Sequence, residues 1–147
     1  MPMIALGADH AGYEYKEKAK ELLRSLGISF EDFGTNSSES TDYPDYAHKV
    51  AEAVKAGKAE FGLLVCGTGI GMSIVANKHD GIRASNVESV EAAKLARTHN
   101  DANVLAIGAR LTPWETAKEI IKTFLTAKFE GGRHQGRVEK IHTLTNL

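Results

Sequence analysis

The chain has one cysteine, three prolines and few aromatic residues, 7% of 147. A lone thiol, Cys66, makes no intrachain disulfide, so the expected setting is reducing. Charge of one sign is also missing: 19 Asp plus Glu stand against 18 Lys plus Arg, interspersed along the chain. That balance excludes the broad basic footprint of a nucleic-acid binder or of a protein that sits on an anionic membrane. Any anionic ligand must be small and met locally. No apolar run approaches the ~20 residues of a membrane-spanning helix. No Pro- or Ser-rich linker divides the chain, and Asp9 arrives too early for the apolar core of a signal peptide. The expectation is a soluble, cytoplasmic protein with one domain over residues 1–147. A chain of this length buries roughly two thirds of its unfolded surface and needs no staple.

What is present is an alternation of periods. Short apolar runs at residues 3–6, 29–33, 61–66, 82–84 and 103–107, mostly closed by Gly, Asp or Asn, read as five strands. Between them lie stripes at helical spacing: Ala19, Leu22, Leu23 and Leu26, then Ala47, Val50, Ala51 and Val54, then Val90, Ala93 and Ala96. A last long helix is predicted with Thr112 as its cap, Pro113 at its first position and Glu115 completing a capping box, ahead of Ala117, Ile120, Ile121, Phe124 and Leu125. Strand-helix alternation along the whole chain implies right-handed crossovers and a doubly wound α/β domain, a parallel sheet with helices on both faces. Residues 130–137 are too Gly-rich for a core element, and the apolar pattern at Val138, Ile141 and Leu144 predicts a C-terminal docking tail.

In such a sheet ligands bind beyond the carboxyl ends of the strands. Asp9 and His10 follow the first strand; Asp9 can cap the next helix or meet a ligand. After the third strand comes Cys66-Gly67-Thr68-Gly69-Ile70-Gly71-Met72-Ser73. Its alternating glycines let successive N–H groups face one point ahead of a short helix, which suits a phosphate or a developing oxyanion. No Lys-Ser/Thr follows, so this is no Walker loop, and the spacing differs from the dinucleotide fingerprint. Dinucleotide binding nevertheless stays open, with Glu88 standing where a ribose-binding acid would fall. Cys66 is either a small buried hydrophobe or, beside that cradle, a thiolate base or nucleophile, with Thr68 positioned to assist. His99 and Asn100 can form a polar helix end or act in catalysis, while Arg110, Arg133 and Arg137 offer guanidinium forks for a phosphate, the last two as readily a solvated face. The histidines lack a short ligand pairing such as HxxxH and there is no second Cys, so no required metal is expected. His48, His79 and His142 are expected at the surface.

A phosphate clamp, an anion hole, a thiol and two histidines suit proton chemistry on a sugar phosphate without a cofactor. One base carries a proton between adjacent carbons, and dipoles stabilise the enediolate. The motifs Gly7-Ala8-Asp9-His10-Ala11-Gly12, Asp42-Tyr43-Pro44-Asp45, the Cys66–Ser73 loop with Ala76-Asn77-Lys78, His99-Asn100-Asp101-Ala102-Asn103 and Gly131-Gly132-Arg133-His134 together resemble the type B ribose-5-phosphate isomerases, in the group that also holds the galactose-6-phosphate isomerase subunits. The resemblance covers nearly the whole chain in order. It implies a Rossmann-like domain, a small sugar phosphate as substrate, no cofactor, and a homodimer with active sites at the subunit interface, sometimes paired into tetramers. By position it implies Cys66 as base, Thr68 assisting and His99 opening the sugar ring. Asp9 and Tyr43 would then meet the sugar, Gly67, Gly69, Ile70 and Gly71 would hold the enediolate, and Asn100 would orient substrate. His10, Arg110, Arg133 and Arg137 would hold phosphate, with His99, Asn100 and Arg110 supplied by the partner. One branch of the family carries a glutamate base where this chain has Met72, so the chain resembles the cysteine branch. Gly136 departs from the basic residue common at its position. A six-carbon sugar phosphate, or sugar-phosphate binding without turnover, are the alternatives.

Overall fold

Residues 3–147 are described by the computed structural model. Their elements run β1 (Met3–Ala8), α1 (Tyr13–Ser25), β2 (Ser29–Asp32), α2 (Tyr43–Lys55), β3 (Phe61–Cys66), α3 (Ile70–Ala76), β4 (Ala84–Asn86), α4 (Val90–Thr98), β5 (Val104–Gly108), α5 (Trp114–Thr126) and α6 (Arg133–Thr145). The strands form one five-stranded sheet in the order β2-β1-β3-β5-β4, and each neighbouring pair is parallel. This is the doubly wound α/β architecture that the alternation implies.

Side chains on successive strand residues point to opposite faces, and both faces are sealed. Ile4, Leu6, Phe61, Leu63, Val65, Leu105 and Ile107 pack under α1, α4 and α5. Ala5, Leu64, Cys66, Val104 and Ala106 pack under α2 and α3. Cys66 therefore belongs to the α2/α3 face, at the carboxyl end of β3. The chain leaves β1 toward β2 at one edge, then returns across β1 to β3, so the winding reverses between β1 and β3. A crevice opens at such a reversal because the connections depart to opposite sides.

Helical stripes hold where the helix faces the sheet: Ala47, Val50, Ala51 and Val54 of α2 are all buried, as are Ala117, Ile120, Ile121 and Phe124 of α5. Four expectations are corrected. Leu26 falls at the end of α1 and Val90 at the start of α4, where each is exposed beyond the core. The capping box does not form: α5 begins at Trp114, no side chain caps it, and the buried Thr112 hydroxyl has no partner among the described residues. Thr112 instead offers its carbonyl to the Tyr15 hydroxyl at 2.7 Å. The tail is a helix from Arg133, with Gly136 inside it, which docks through His134 and Val138 while Ile141 and Leu144 remain exposed. Strand β4 also starts later than expected, at Ala84, because Ile82 turns into the core before pairing begins.

A lysine that the apolar pattern gives no reason to bury anchors α1 to the sheet edge. Lys16 is 1% exposed, and its Nζ donates to Asp32 Oδ2 at 2.6 Å and to Glu17 Oε2 at 2.9 Å. Burial pushes the Asp32 carboxyl up, but Lys16, the Gly34 N–H and Lys20 outweigh it and leave the carboxyl below its ordinary 3.8. A depressed carboxylate stabilises the fold above its unfolded value, and that stability is lost as pH falls through the folded one. Asp32→Ala leaves the buried Lys16 ammonium with Glu17, itself 40% exposed, as its carboxylate partner, so urea denaturation at neutral pH should show a loss of roughly 1–2 kcal/mol. A variant as stable as the wild type would remove the pair from the account of how β2 is held.

Candidate active site

The carboxyl ends of β1 and β3 lie side by side at the point where the winding reverses. After β1, Asp9 is nearly buried, and its Oδ1 accepts from the Ala11 and Gly12 N–H groups at 2.9 and 3.1 Å. These bonds close a turn rather than cap α1, whose N-cap is Gly12. Oδ2 is left to accept from a ligand. His10 Nδ1 accepts from the Thr41 N–H at 3.2 Å, so in the neutral ring the proton sits on Nε2, which becomes a donor. Thr41 is a positioning residue that the sequence motifs do not reveal.

After β3, the Gly69 N–H donates to Cys66 Sγ at 3.1 Å, and the Ile70 N–H donates to Thr68 Oγ1 at 3.2 Å. The loop thus divides its donors. One serves the sulfur and one orients the Thr68 hydroxyl, while Gly71 and Met72, in the first turn of α3, have no intrahelical acceptor for their N–H groups. Glycine is required at two points here. Gly69 has φ of 82° and a Cβ on it would meet the Asn86 side-chain amide at 2.4 Å; a Cβ on Gly71 would meet the Tyr43 ring at 2.5 Å. Tyr43, at the start of α2, therefore roofs the loop and is itself 41% exposed. Asn86, at the end of β4, is a residue missed by motif reading. With its amide oriented to suit its neighbours, it donates to the Ala106 carbonyl at 3.2 Å and accepts from the Ile70 N–H at 3.3 Å.

Arg110 follows β5, and its N–H donates to the Gly67 carbonyl at 3.0 Å. Its guanidinium lies against Gly67, where an added Cβ would stand 2.9 Å from Nη1. Arg110, which the resemblance assigns to the partner's contribution, sits beside the Cys66 loop of its own chain.

His99 and Asn100 stand elsewhere. They end α4 and lead into the amino end of β5, whereas Cys66 pairs with Gly108 at the carboxyl end. The five residues of β5, about 16 Å of extended chain, separate the two ends. His99 stacks on His134 with ring centroids 4.3 Å apart and planes 13° from parallel, and Glu130 lies 3.8 Å from the first and 3.7 Å from the second. Arg133 and Arg137 are exposed one turn apart on the same helix as His134. One chain thus carries two sets of candidate site residues. Asp9, His10, Tyr43, Cys66, Gly67, Thr68, Gly69, Ile70, Gly71 and Arg110 cluster at the carboxyl end; His99, Asn100, Arg133 and Arg137 cluster at the other.

Both sets lie within a stretch that the family model for ribose/galactose isomerases matches, residues 4–141. The chain belongs to the ribose/galactose isomerase family. Ribose-5-phosphate isomerase B of Escherichia coli strain K12 is 50% identical to it over 141 residues, 96% of this chain and 95% of that protein. The solved structure of Clostridium thermocellum ribose-5-phosphate isomerase B superposes with a TM-score of 0.96 at 46% identity, covering 98% of this chain and 97% of that one. The Mycoplasma genitalium ribose-5-phosphate isomerase B, whose crystal structure holds bound ribulose 5-phosphate, superposes with a TM-score of 0.93 at 39% identity, over 98% and 96% of the two chains. No described helix of this family member is long and apolar enough to cross a membrane.

Burial first, then the neighbouring His99 and Arg133, hold His134 below its ordinary 6.5 against the pull of Glu130. A histidine depressed in this way stays neutral when folded, and the unfolded chain takes up the proton first. Stability is present above the unfolded value and is lost as pH falls below it toward the folded one. The melting temperature of the wild type should therefore drop more steeply than that of His134→Gln between about pH 7 and about pH 5.5. Parallel curves would show that His134 titrates as an ordinary surface imidazole.

Proposed function

We propose that this protein interconverts ribose 5-phosphate and ribulose 5-phosphate, a step of the pentose phosphate pathway, in a site assembled from two copies of the chain. The observation that carries the reading is the Cys66 thiol at the carboxyl end of β3, with the Gly69 N–H on its Sγ and the glycine loop directly after it. Similarity to the Mycoplasma genitalium enzyme, solved with ribulose 5-phosphate, supports the choice of substrate.

Isomerisation of the open-chain sugar needs a base at C2, stabilisation of charge on O1 and O2, and return of the proton to C1. Cys66 as thiolate removes the C2 proton and delivers it to C1. Negative charge that grows on the enediolate meets the free N–H groups at the start of α3. Thr68, its hydroxyl held by Ile70, moves the hydroxyl proton between the two oxygens. Asp9 Oδ2 accepts from sugar hydroxyls, Tyr43 covers the sugar, and His10 donates to phosphate from Nε2 beside Arg110. The ring form must open first, and the acid/base for that step is His99 of the partner subunit, with the partner's Asn100, Arg133 and Arg137 completing the sugar and phosphate contacts. Two-fold pairing would let the amino-end set of one chain meet the carboxyl-end set of the other twice over. No nicotinamide, flavin or metal is needed to move one proton between adjacent carbons. A free thiol as base fits the reducing cytoplasm.

Proton NMR in D2O tests the chemistry. Ribose 5-phosphate should yield ribulose 5-phosphate carrying deuterium at C1, and Cys66→Ala should lower kcat by roughly 10³ with little change in KM. Turnover that survives in Cys66→Ala would remove the thiol as base. Sharing of the site is tested separately, by mixing inactive Cys66→Ala and His99→Ala chains after co-refolding. Half of the dimers then carry one intact site of two, so activity should recover to about one quarter of wild type. No recovery would mean that each chain builds its site alone.

A further inference from the structure

We propose that His48, Glu52 and His79 form a binding site for a zinc-like divalent transition metal, on the outer side of α2 and α3 and separate from the isomerase residues. Sequence spacing hides it, because thirty-one positions separate the two histidines that the fold brings together.

His48 and Glu52 stand one turn apart on α2 and share a face. His79 lies just past the end of α3. One ligand atom from each of the three falls within 4.8 Å of the others. The Val75 carbonyl decides the protonation pattern. It can only accept, so His79 Nδ1, 2.9 Å away, is the donor and Nε2 keeps its lone pair. This is the backbone support that metal-binding histidines commonly have on their second nitrogen. His79 is 11% exposed, so that lone pair has one fixed direction, toward His48 Nδ1 at 2.8 Å and Glu52 Oε1 at 3.9 Å.

With Nε2 of His79 as acceptor, His48 donates from Nδ1. Metal binding there moves the His48 proton to its solvent-facing Nε2, with no change in net protons on the two rings. Ligand atoms around a tetrahedral ion with bonds of about 2.0–2.1 Å stand about 3.3 Å apart. The His48 contact must therefore widen by about half an ångström and the Glu52 contact close by a similar amount, both by side-chain rotation. Two imidazoles and one carboxylate suit zinc, nickel or copper rather than magnesium or calcium, which prefer all-oxygen shells. Zinc imposes no geometry of its own and leaves the fourth position to water, on the side where His48 and Glu52 are open to solvent.

The second histidine-carboxylate cluster, His99, Glu130 and His134, belongs to the proposed active site and makes no part of this inference. The α2/α3 site has a structural consequence of its own. It would tie α2, which carries Tyr43 over the glycine loop, to the helix that the loop begins.

Isothermal titration of the chelator-treated full-length protein with Zn²⁺ tests the site. His48→Ala and Glu52→Gln remove ligands that are partly or fully open to solvent, so both variants keep the fold. Each should weaken one zinc per chain by at least about tenfold and abolish the rise in melting temperature that zinc gives the wild type. Cys66→Ala and His134→Ala should bind that zinc within about twofold of wild type. Zinc binding that persists in His48→Ala, that is lost in Cys66→Ala or His134→Ala, or that is absent from the wild type would overturn the proposal.

Discussion

A parallel strand covered on both faces can offer chemistry only at its ends, and the placement of the candidate active-site residues follows from that constraint. The central strands β3 and β5 are buried along their length, and β1 is buried from Ile4 onward. Their side chains are committed to two apolar layers, so reactive groups are pushed to the loops that leave the sheet. The reversal between β1 and β3 opens one such end. The parity of β3 then puts Cys66 on the α2/α3 side, under the helix that bears Tyr43 and beside the helix that begins at the glycine loop.

The same constraint divides the site. A connection that enters β5 must start at the opposite end of the sheet from one that leaves β3, and no side chain reaches across a strand of that length. His99, Asn100, Arg133 and Arg137 are thus held together with His134 and Glu130, away from Cys66. Under the proposed function this separation makes association part of catalysis, since the ring-opening group and half of the phosphate ligands come from a second copy. Arg110 stays with Cys66 because its N–H is tied to the Gly67 carbonyl.

Backbone groups orient the side chains that matter. The Thr41 N–H assigns the His10 tautomer, the Gly69 N–H meets the Cys66 sulfur, and the Ala11 and Gly12 N–H groups occupy one oxygen of Asp9 while leaving the other. The Val75 carbonyl does the same for His79. Backbone donors and acceptors are fixed by the fold, so these states cost no reorganisation when a ligand arrives.

By itself the sequence determined the class of fold, the strand ends worth inspecting and most of the carboxyl-end set. Alternating periods and motif loops are local signals, carried by residues a few positions apart. Asp9, Cys66 and the glycines could be read for that reason. The buried Lys16, the Asn86 contact with the loop, the Thr41 support of His10 and the His48–His79 pair were decided only by the tertiary structure, because each joins residues far apart in the chain. The C-terminal helix shows the limit from the other side. Its glycines argue for a loop by local propensity, yet His134 and Val138 anchor it through contacts with distant elements, which outweigh that propensity. Local pattern decides what a segment can become, and packing against partners remote in sequence decides which atoms finally meet.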